Sequence, residues 1–203
     1  GNDPMLDYIS NNIAINSAGG GISNDGGTVD ITGSTFSSNE ANGTPGGAGM
    51  GGAISNSDFG NLTITDSTFA NNSATWYGGG LYSYGYVTIT NSTFSNNHSN
   101  EYGGGVFNDG YNVDIINSTF YGNSAGVSGG AIYEDATTTV ENTIIANSTA
   151  GGNCSMDGNS VTDGGNNISD DTTCGFADTN NLGTGDGVDA LLDVLADNGG
   201  GTQ

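Results

Sequence analysis

The sequence predicts an all-β chain folded as a right-handed parallel β-helix (solenoid) of about six turns, ending in an irregular, disulfide-linked C-terminal region. Three observations lead there: two files of apolar residues at one common period, short alternating runs between them, and glycine and asparagine at every break. The stretches "GGGISNDGGTVDITGSTFSSN" (19–39), "GGAISNSDFGNLTITDSTFANN" (51–72), "GGGLYSYGYVTITNSTFSNN" (78–97) and "GGGVFNDGYNVDIINSTFYGN" (103–123) are variants of a single unit.

The first file is Ile13, Phe36, Phe69, Phe94, Phe120 and Ile144, at intervals of 23, 33, 25, 26 and 24. Each is followed three residues later by an asparagine: Asn16, Asn39, Asn72, Asn97, Asn123 and Asn147. The second file, Ile22, Ile54, Leu81, Val106 and Ile132, follows a glycine pair or a glycine and alanine, at intervals of 32, 27, 25 and 26. Both files lengthen at the same place, so one insertion, "ANGTPGGAGM" (41–50), is expected to bulge from a single turn. Between the files run alternating strands, with Val29/Ile31, Leu62/Ile64, Val87/Ile89 and Val113/Ile115 on one face and Asp30, Thr63, Thr88 and Asp114 on the other. A period near 25 with three short strands per unit predicts coils that bury their apolar faces on one another. The asparagines are expected at bends, bonding the coil above and below, where Asn and Gly also tolerate a left-handed backbone.

Composition alone points to disorder. Leu, Ile, Val and Phe number 37 of 203 residues, Gly numbers 38, and the formal net charge is −22. The repeat resolves the conflict by gathering those few apolar side chains into a thin column.

Not one Lys or Arg is present. Nucleic acid is thereby excluded as a partner, because no cation can replace phosphate counterions, and docking on an anionic membrane fails for the same reason. High salt, acid or a calcium-rich exterior would relieve the self-repulsion. Cys154 and Cys174 are the only cysteines. With no other thiol and no histidine nearby they are expected to pair, closing a loop worth about 3 kcal/mol in an oxidising, extracellular setting. No run of 18 apolar residues exists, so no membrane insertion is expected. The start at "GNDPMLDY" suggests a processed or excerpted polypeptide.

The paired signatures Gly-Gly-Ala/Gly-Ile/Leu/Val and Phe-x-x-Asn resemble the repeats of the polymorphic outer-membrane protein family over about residues 10–150. The resemblance implies an exposed β-helical rod used in adhesion. The segment from "GGNCSMDGN" to "LADNGGGTQ" resembles the cysteine-paired end of secreted bacterial proteins with a choice-of-anchor Q domain. Residues 1–150 are thus expected to form the β-helix. Residues 151–203 would form disulfide-pinned final turns and an end plug, with Leu191, Leu192 and Leu195 of "DALLDVLAD" over the open end.

Chemistry is thinly represented. Parallel β-helices include polysaccharide lyases, but those need basic residues. A hydrolase could work with carboxylates alone, yet the Gly-His-Gly and Arg-Ile-Lys of polygalacturonases are missing. Asp170-Asp171 reads as a solvated loop, and His98, the only histidine, as an exposed residue beside a corner. No cofactor is expected, with a structural calcium left open at oxygen-rich segments such as "DGGTVD" (25–30) and "DTNNLGTGDGVD" (178–189). Nine Asn-x-Ser/Thr sequons are what an Asn-, Ser- and Thr-rich repeat produces in any case.

Aromatic placement is more informative, since 12 of 17 aromatics fall within 76–133. Tyr82, Phe107 and Tyr133 each follow an inward aliphatic and should point outward, where earlier units carry Ser23 and Ser55. With Trp76, Tyr77 and Tyr102 they form a candidate contact stripe for a glycan or a surface-protein receptor. The reading is a non-enzymatic extracellular or cell-surface structural or adhesive protein, with homo-oligomer or head-to-tail filament assembly expected from the unpaired ends of a β-helix. Alternatives are a carboxylate-based polysaccharide-active enzyme and an ice-binding solenoid with Thr35, Thr68, Thr93, Thr119 and Thr143 in one outward file.

Overall fold

The computed structural model of the protein describes residues 7–44, 48–155, 161–177 and 185–187. The chain winds as a parallel β-solenoid of about six turns, with no helix among the described residues. Each full coil contributes four strands rather than three, and equivalent strands stack into four parallel sheets. Sheet A contains Asp7–Ser10, Ser34–Ser37, Thr68–Ala70, Thr93–Ser95, Thr119–Tyr121, Ile144–Ala146, Ile168–Ser169 and Gly185–Asp186. Sheet B is built from Ile13–Ile15, Glu40–Asn42, Ser73–Ala74, His98–Ser99 and Ser124–Ala125, and sheet C from Ile22–Asp25, Ile54–Ser57, Leu81–Ser83, Val106–Asn108 and Ile132–Glu134. Sheet D runs through Thr28–Thr32, Asn61–Thr65, Tyr86–Thr90, Val113–Ile116, Thr138–Glu141 and Thr162–Gly165. Sheet B escapes sequence reading because its strands are two or three residues long and turn only Ala or Ser inward.

Register places like over like. Phe36, Phe69, Phe94 and Phe120 pair in sequence along sheet A, with ring centroids 4.7, 4.5 and 4.9 Å apart and planes within 2°, 3° and 6°. That spacing is the distance between neighbouring strands, so the coil repeat holds the rings face over face. Opposite them Ile54, Leu81, Val106 and Ile132 are fully buried on sheet C, and sheet D adds Leu62, Ile64, Val87, Ile89, Val113 and Ile115. Ile22 and Val29, in the first coil, are partly buried against the same core. The glycines before sheet C are required by this closeness. A Cβ added to Gly80 would lie 2.9 Å from the Phe94 ring, and one on Gly105 would lie 3.0 Å from Phe120.

The two ends of the predicted files are shifted. Ile9, not Ile13, pairs with Phe36, while Ile13 lies in sheet B opposite Glu40 and is 59% exposed. At the other end Phe120 pairs with Ile145, which is fully buried, and Ile144 sits beside Thr119. Side chains alternate along a strand, so a one-residue slip turns Ile144 out of the core. The same slips move the asparagines. Asn16 and Asn147 are exposed corner residues with φ of 52° and 56°, and the buried series is Asn39, Asn72, Asn97 and Asn123, joined at its first end by exposed Asn12. Likewise Thr143 falls outside the threonine file, because Thr119 pairs with Ile144.

Within the series Asn39, Asn72 and Asn97 each bond two coils. Asn97 Nδ2 donates to the Phe69 carbonyl (2.9 Å) and to Asn123 Oδ1 (3.0 Å), while its Oδ1 accepts from the backbone N–H (3.0 Å) and Nδ2 (2.9 Å) of Asn72. A second polar ladder, unforeseen in the sequence, runs at the corner between sheets D and A through Ser34, Ser67, Ser92, Ser118, Thr143 and Asn167. Each side-chain oxygen accepts from the backbone N–H of the preceding member, at 3.0 to 3.2 Å. A third, Asn24, Asn56, Ser83, Asn108 and Glu134, occupies one register position inside sheet C. These ladders satisfy the backbone groups that tight corners would otherwise bury unpaired.

Sheets A and D continue past residue 150. Cys154 bridges to Ile132, extending the sheet C file by one coil, and its disulfide to Cys174 joins Phe176 and Val161 in the core. Asn153, from the same loop, takes over the asparagine ladder. Its Nδ2 donates to the Ile145 carbonyl (3.0 Å) and its Oδ1 accepts from the Ser148 N–H (3.4 Å). The expected plug of Leu191, Leu192 and Leu195 lies outside the described residues. Among those described, no helix is long and apolar enough to cross a membrane.

Replacing Asn97 by Ala strands the Asn72 backbone N–H and removes the side-chain donor to the Phe69 carbonyl, while Asn123 Oδ1 keeps the Asn97 backbone N–H, and it should lower unfolding free energy by about 3 kcal/mol in urea denaturation. Asn147→Gly, which keeps the left-handed corner and touches no ladder, should change it by less than about 1 kcal/mol.

Candidate functional site

Along the outer face of sheet C, register aligns Ser23, Ser55, Tyr82, Phe107 and Tyr133. The last three rings stack on successive coils, at 5.7 Å and 18° between Tyr82 and Phe107 and at 5.0 Å and 6° between Phe107 and Tyr133. Alternation explains why they face outward, since each follows an aliphatic that faces inward. They are nevertheless buried, because Met50, Tyr77 and Tyr102 pack over them from the insertion and the preceding bends. Tyr77 lies 4.8 Å from Phe107 and Tyr102 lies 4.6 Å from Tyr133, centroid to centroid. The six predicted stripe residues therefore divide. Five form a satellite apolar cluster, and Trp76 sits instead beneath the insertion, its ring against Gly43 and Gly49 and its backbone N–H donating to the Gly49 carbonyl (3.0 Å).

Between these rings lies a cavity of about 300 Å³, lined by Tyr77, Tyr102, Phe107, Tyr133, Asp109 and Asp135. The two aspartates occupy equivalent places on neighbouring coils, one residue beyond the paired Asn108 and Glu134. Tyr82 donates its phenol hydrogen to Asp109 Oδ2 at 2.7 Å. Burial, followed by the charge of Asp109, raises the Asp135 carboxyl above its ordinary range. Burial and then Glu101 push the Tyr77 phenol up, and burial with the Asp109 bond does the same to Tyr82. The site is thus a ring-walled, negatively charged recess.

A second group of rings was not singled out in the sequence. Phe59, Tyr84 and Tyr111 gather edge to face at the turn from sheet C to sheet D, with Tyr86 tilted against Tyr111 and centroids 4.8 to 6.3 Å apart. Phe59 is 56% exposed with φ at 65°. Beside them a shallow recess of about 210 Å³ runs over the polar face of sheet D, past Asn61, Thr63, Thr88, Asn112 and Asp114. The signal was present as "SYGY" and "DGY" around glycine turns, but rings at turns do not fall into a strand file.

The remaining candidates are placed as structural parts. His98 is exposed on sheet B, with its ring nitrogens 2.8 Å from Ser124 Oγ and 3.1 Å from Asn100 Oδ1. Asp170 and Asp171 differ from the solvated loop expected of them: both are half-buried and clamp the cysteine loop. Asp170 accepts from the Asn147 N–H and Asn153 Nδ2, each at 2.7 Å, and Asp171 accepts from the N–H groups of Asn153 and Thr173. In "DGGTVD", Asp25 faces Asp58 of the next coil, and a shared hydrogen bond followed by like charge raises the Asp58 carboxyl. No cluster of three or more His, Cys, Asp or Glu that could hold a metal occurs among the described residues.

Glu134 is the residue least expected from the sequence. It is fully buried at the top of the third ladder, where other coils have Asn or Ser, and neither carboxylate oxygen closes a hydrogen bond of ordinary geometry. Burial raises its pKa to about 7, against a smaller opposing pull from the hydroxyl and N–H of Thr138 nearby.

Three stretches, residues 66–84, 91–109 and 117–133, match the Chlamydia polymorphic membrane protein repeat. Each runs from the corner after sheet D through sheets A and B to sheet C, so the matched unit is one coil less its sheet D strand. No curated protein and no solved structure matches the chain.

Because Glu134 holds its proton more tightly when folded, the native state binds more protons than the unfolded chain between about pH 4.5 and 7. Its contribution to stability is complete below the lower value and is lost as pH rises through the upper one, by on the order of 3 kcal/mol. Glu134→Gln should therefore melt above the parent at pH 8, with the gap closing toward pH 4 in calorimetry.

Proposed function

We propose that this β-solenoid, built on polymorphic-membrane-protein-like repeats, is a non-enzymatic cell-surface structural or adhesive rod. Its contact face is the ring-bearing outer side of sheet C. One observation carries the reading: in a chain poor in large apolar residues, three aromatics follow Ser23 and Ser55 along the outer file of sheet C and seat half-buried Tyr77 and Tyr102 over them at the surface. The core needs none of them, since the Phe and Ile columns are complete without them. Rigid rings with polar tips suit recognition. Repeats of this kind occur in surface proteins, and the Cys154–Cys174 bond suits an oxidising exterior.

The test exploits the repeat. Changing Tyr82, Phe107 and Tyr133 together to Ser restores the residue that the first two coils carry, so the coil geometry tolerates it. Attachment of cells to surfaces coated with the variant should fall about tenfold while the circular dichroism spectrum stays that of a β-sheet. Undiminished attachment would remove the contact face from the reading.

Head-to-tail assembly is a second reading, favoured by the first coil. Tyr8, Ile13 and Ile15 are 63, 59 and 75% exposed, and an opening of about 620 Å³ there reaches Ile9, Ile22, Val29, Ile31 and Phe36 of the column. Strands Asp7–Ser10, Ile13–Ile15, Ile22–Asp25 and Thr28–Thr32 are the terminal members of the four sheets among the described residues. A further coil laid on them, from a second copy, would extend all four sheets at once. Sedimentation should show concentration-dependent growth that Ile13→Asp with Ile15→Asp abolishes. A single monomer boundary at every concentration would count against it.

A further inference from the structure

We infer that the recess between Tyr77, Tyr102, Phe107, Tyr133, Asp109 and Asp135 accepts the guanidinium of an arginine side chain presented by a protein partner. The inference rests on reading this face as the contact surface and gives that surface a chemistry. Shape comes first. About 300 Å³ is at the small end of ligand cavities, enough for the planar head of one side chain and too little for an extended oligosaccharide.

The walls determine which head. Tyr77 and Tyr102 are half-buried and offer ring surface to the recess, each backed by a buried ring, Phe107 at 4.8 Å and Tyr133 at 4.6 Å. Ring faces carry negative quadrupolar charge and attract a cation placed over them, arginine above all. The aspartates lie one coil apart, about 4.8 Å by strand spacing. Their mutual repulsion appears in the raised Asp135 carboxyl, with burial as the larger cause. No Lys or Arg of this chain can relieve it.

A neutral sugar could hydrogen-bond these carboxylates but would leave both charges in place. A guanidinium offers five N–H donors in a plane, can bond carboxylates on two coils, and lays its faces against the rings. Lysine would supply charge without the planar fork. Calcium would satisfy the carboxylates and make no use of the rings. Asp109 is already oriented, since Tyr82 holds its Oδ2 from beneath.

The experiment is a titration of the intact chain with a capped Gly-Gly-Arg-Gly-Gly peptide at physiological salt, followed by NMR of the tyrosine rings. Lysine and citrulline versions of the peptide run in parallel. Citrulline keeps the shape and removes the charge. The arginine peptide should shift the Tyr102 and Tyr133 signals saturably, with the lysine form weaker and the citrulline form at least tenfold weaker. Asp109→Asn with Asp135→Asn, and separately Tyr102→Leu, should each weaken arginine binding about tenfold, while Asp30→Asn on sheet D leaves it unchanged. The uncharged Tyr102→Leu separates the recess from general attraction to an acidic chain, and melting curves verify that each variant is folded. Equal binding of arginine and citrulline, full displacement by millimolar calcium, or no saturable shift would each overturn the inference. If the peptide fails while the serine variants still lose cell attachment, only the arginine assignment falls. If the peptide binds but attachment does not depend on the rings, the adhesive reading falls and the recess stands.

Discussion

Parallel pairing of each coil with the next is the constraint on which the rest of the molecule depends. It sets a rise close to 4.8 Å and places every residue over its equivalent. The column of Phe36, Phe69, Phe94 and Phe120 is a direct result, with rings stacked at 4.5 to 4.9 Å because the backbone allows no other spacing. A chain with few large apolar residues folds because most of those among the described residues are delivered to one narrow line. The glycines before sheet C serve the same end, since Gly80 and Gly105 leave room for the rings they face.

Stacking alone would leave polar backbone buried at each corner. The three ladders answer this, and they differ in chemistry because the corners differ. Asparagine serves between sheets A and B, where one side chain must both donate to a carbonyl and accept from an amide of the coil before it. Serine serves between sheets D and A, where a hydroxyl bonds the carbonyl two residues back and accepts one N–H. The third ladder ends on Glu134, whose burial without a strong partner ties the proton inventory of the interior to external pH. At the far end Asn153 and Cys154 continue a ladder and a core file from a loop, so the irregular segment obeys the same stacking rule as the regular coils.

The exterior follows a different logic. Its charge is uniformly negative and its corners are small and polar, so the two aromatic groups stand out as places where the surface departs from solubility alone. Both lie on coils of nearly regular length. On sheet C the rings close over one another and leave a charged recess, while at the turn into sheet D they remain open to water beside a polar groove. The first is suited to enclosing one group, the second to a grazing contact.

Much of this was legible in the residues themselves. Phe36, Phe69, Phe94 and Phe120 declare the coil because a large ring flanked by Gly, Ser and Asn has few other uses, and outward Tyr82, Phe107 and Tyr133 follow from alternation. Where the repeat weakens, the sequence stops deciding. Ile13 and Ile144 looked as suitable as Ile9 and Ile145, and only backbone pairing with Phe36 and Phe120 selects between faces. The serine ladder, the alanine-lined sheet B and the role of Asn153 were invisible because Ser, Ala and Asn are common throughout the chain, and their meaning comes from the coil above. Composition and period determined that the chain coils and what fills its centre. Tertiary structure decided which face each end residue takes, that the rings of sheet C enclose a recess instead of lying bare, and that Glu134 is buried, because each depends on neighbours about 25 residues away rather than on the residues beside it.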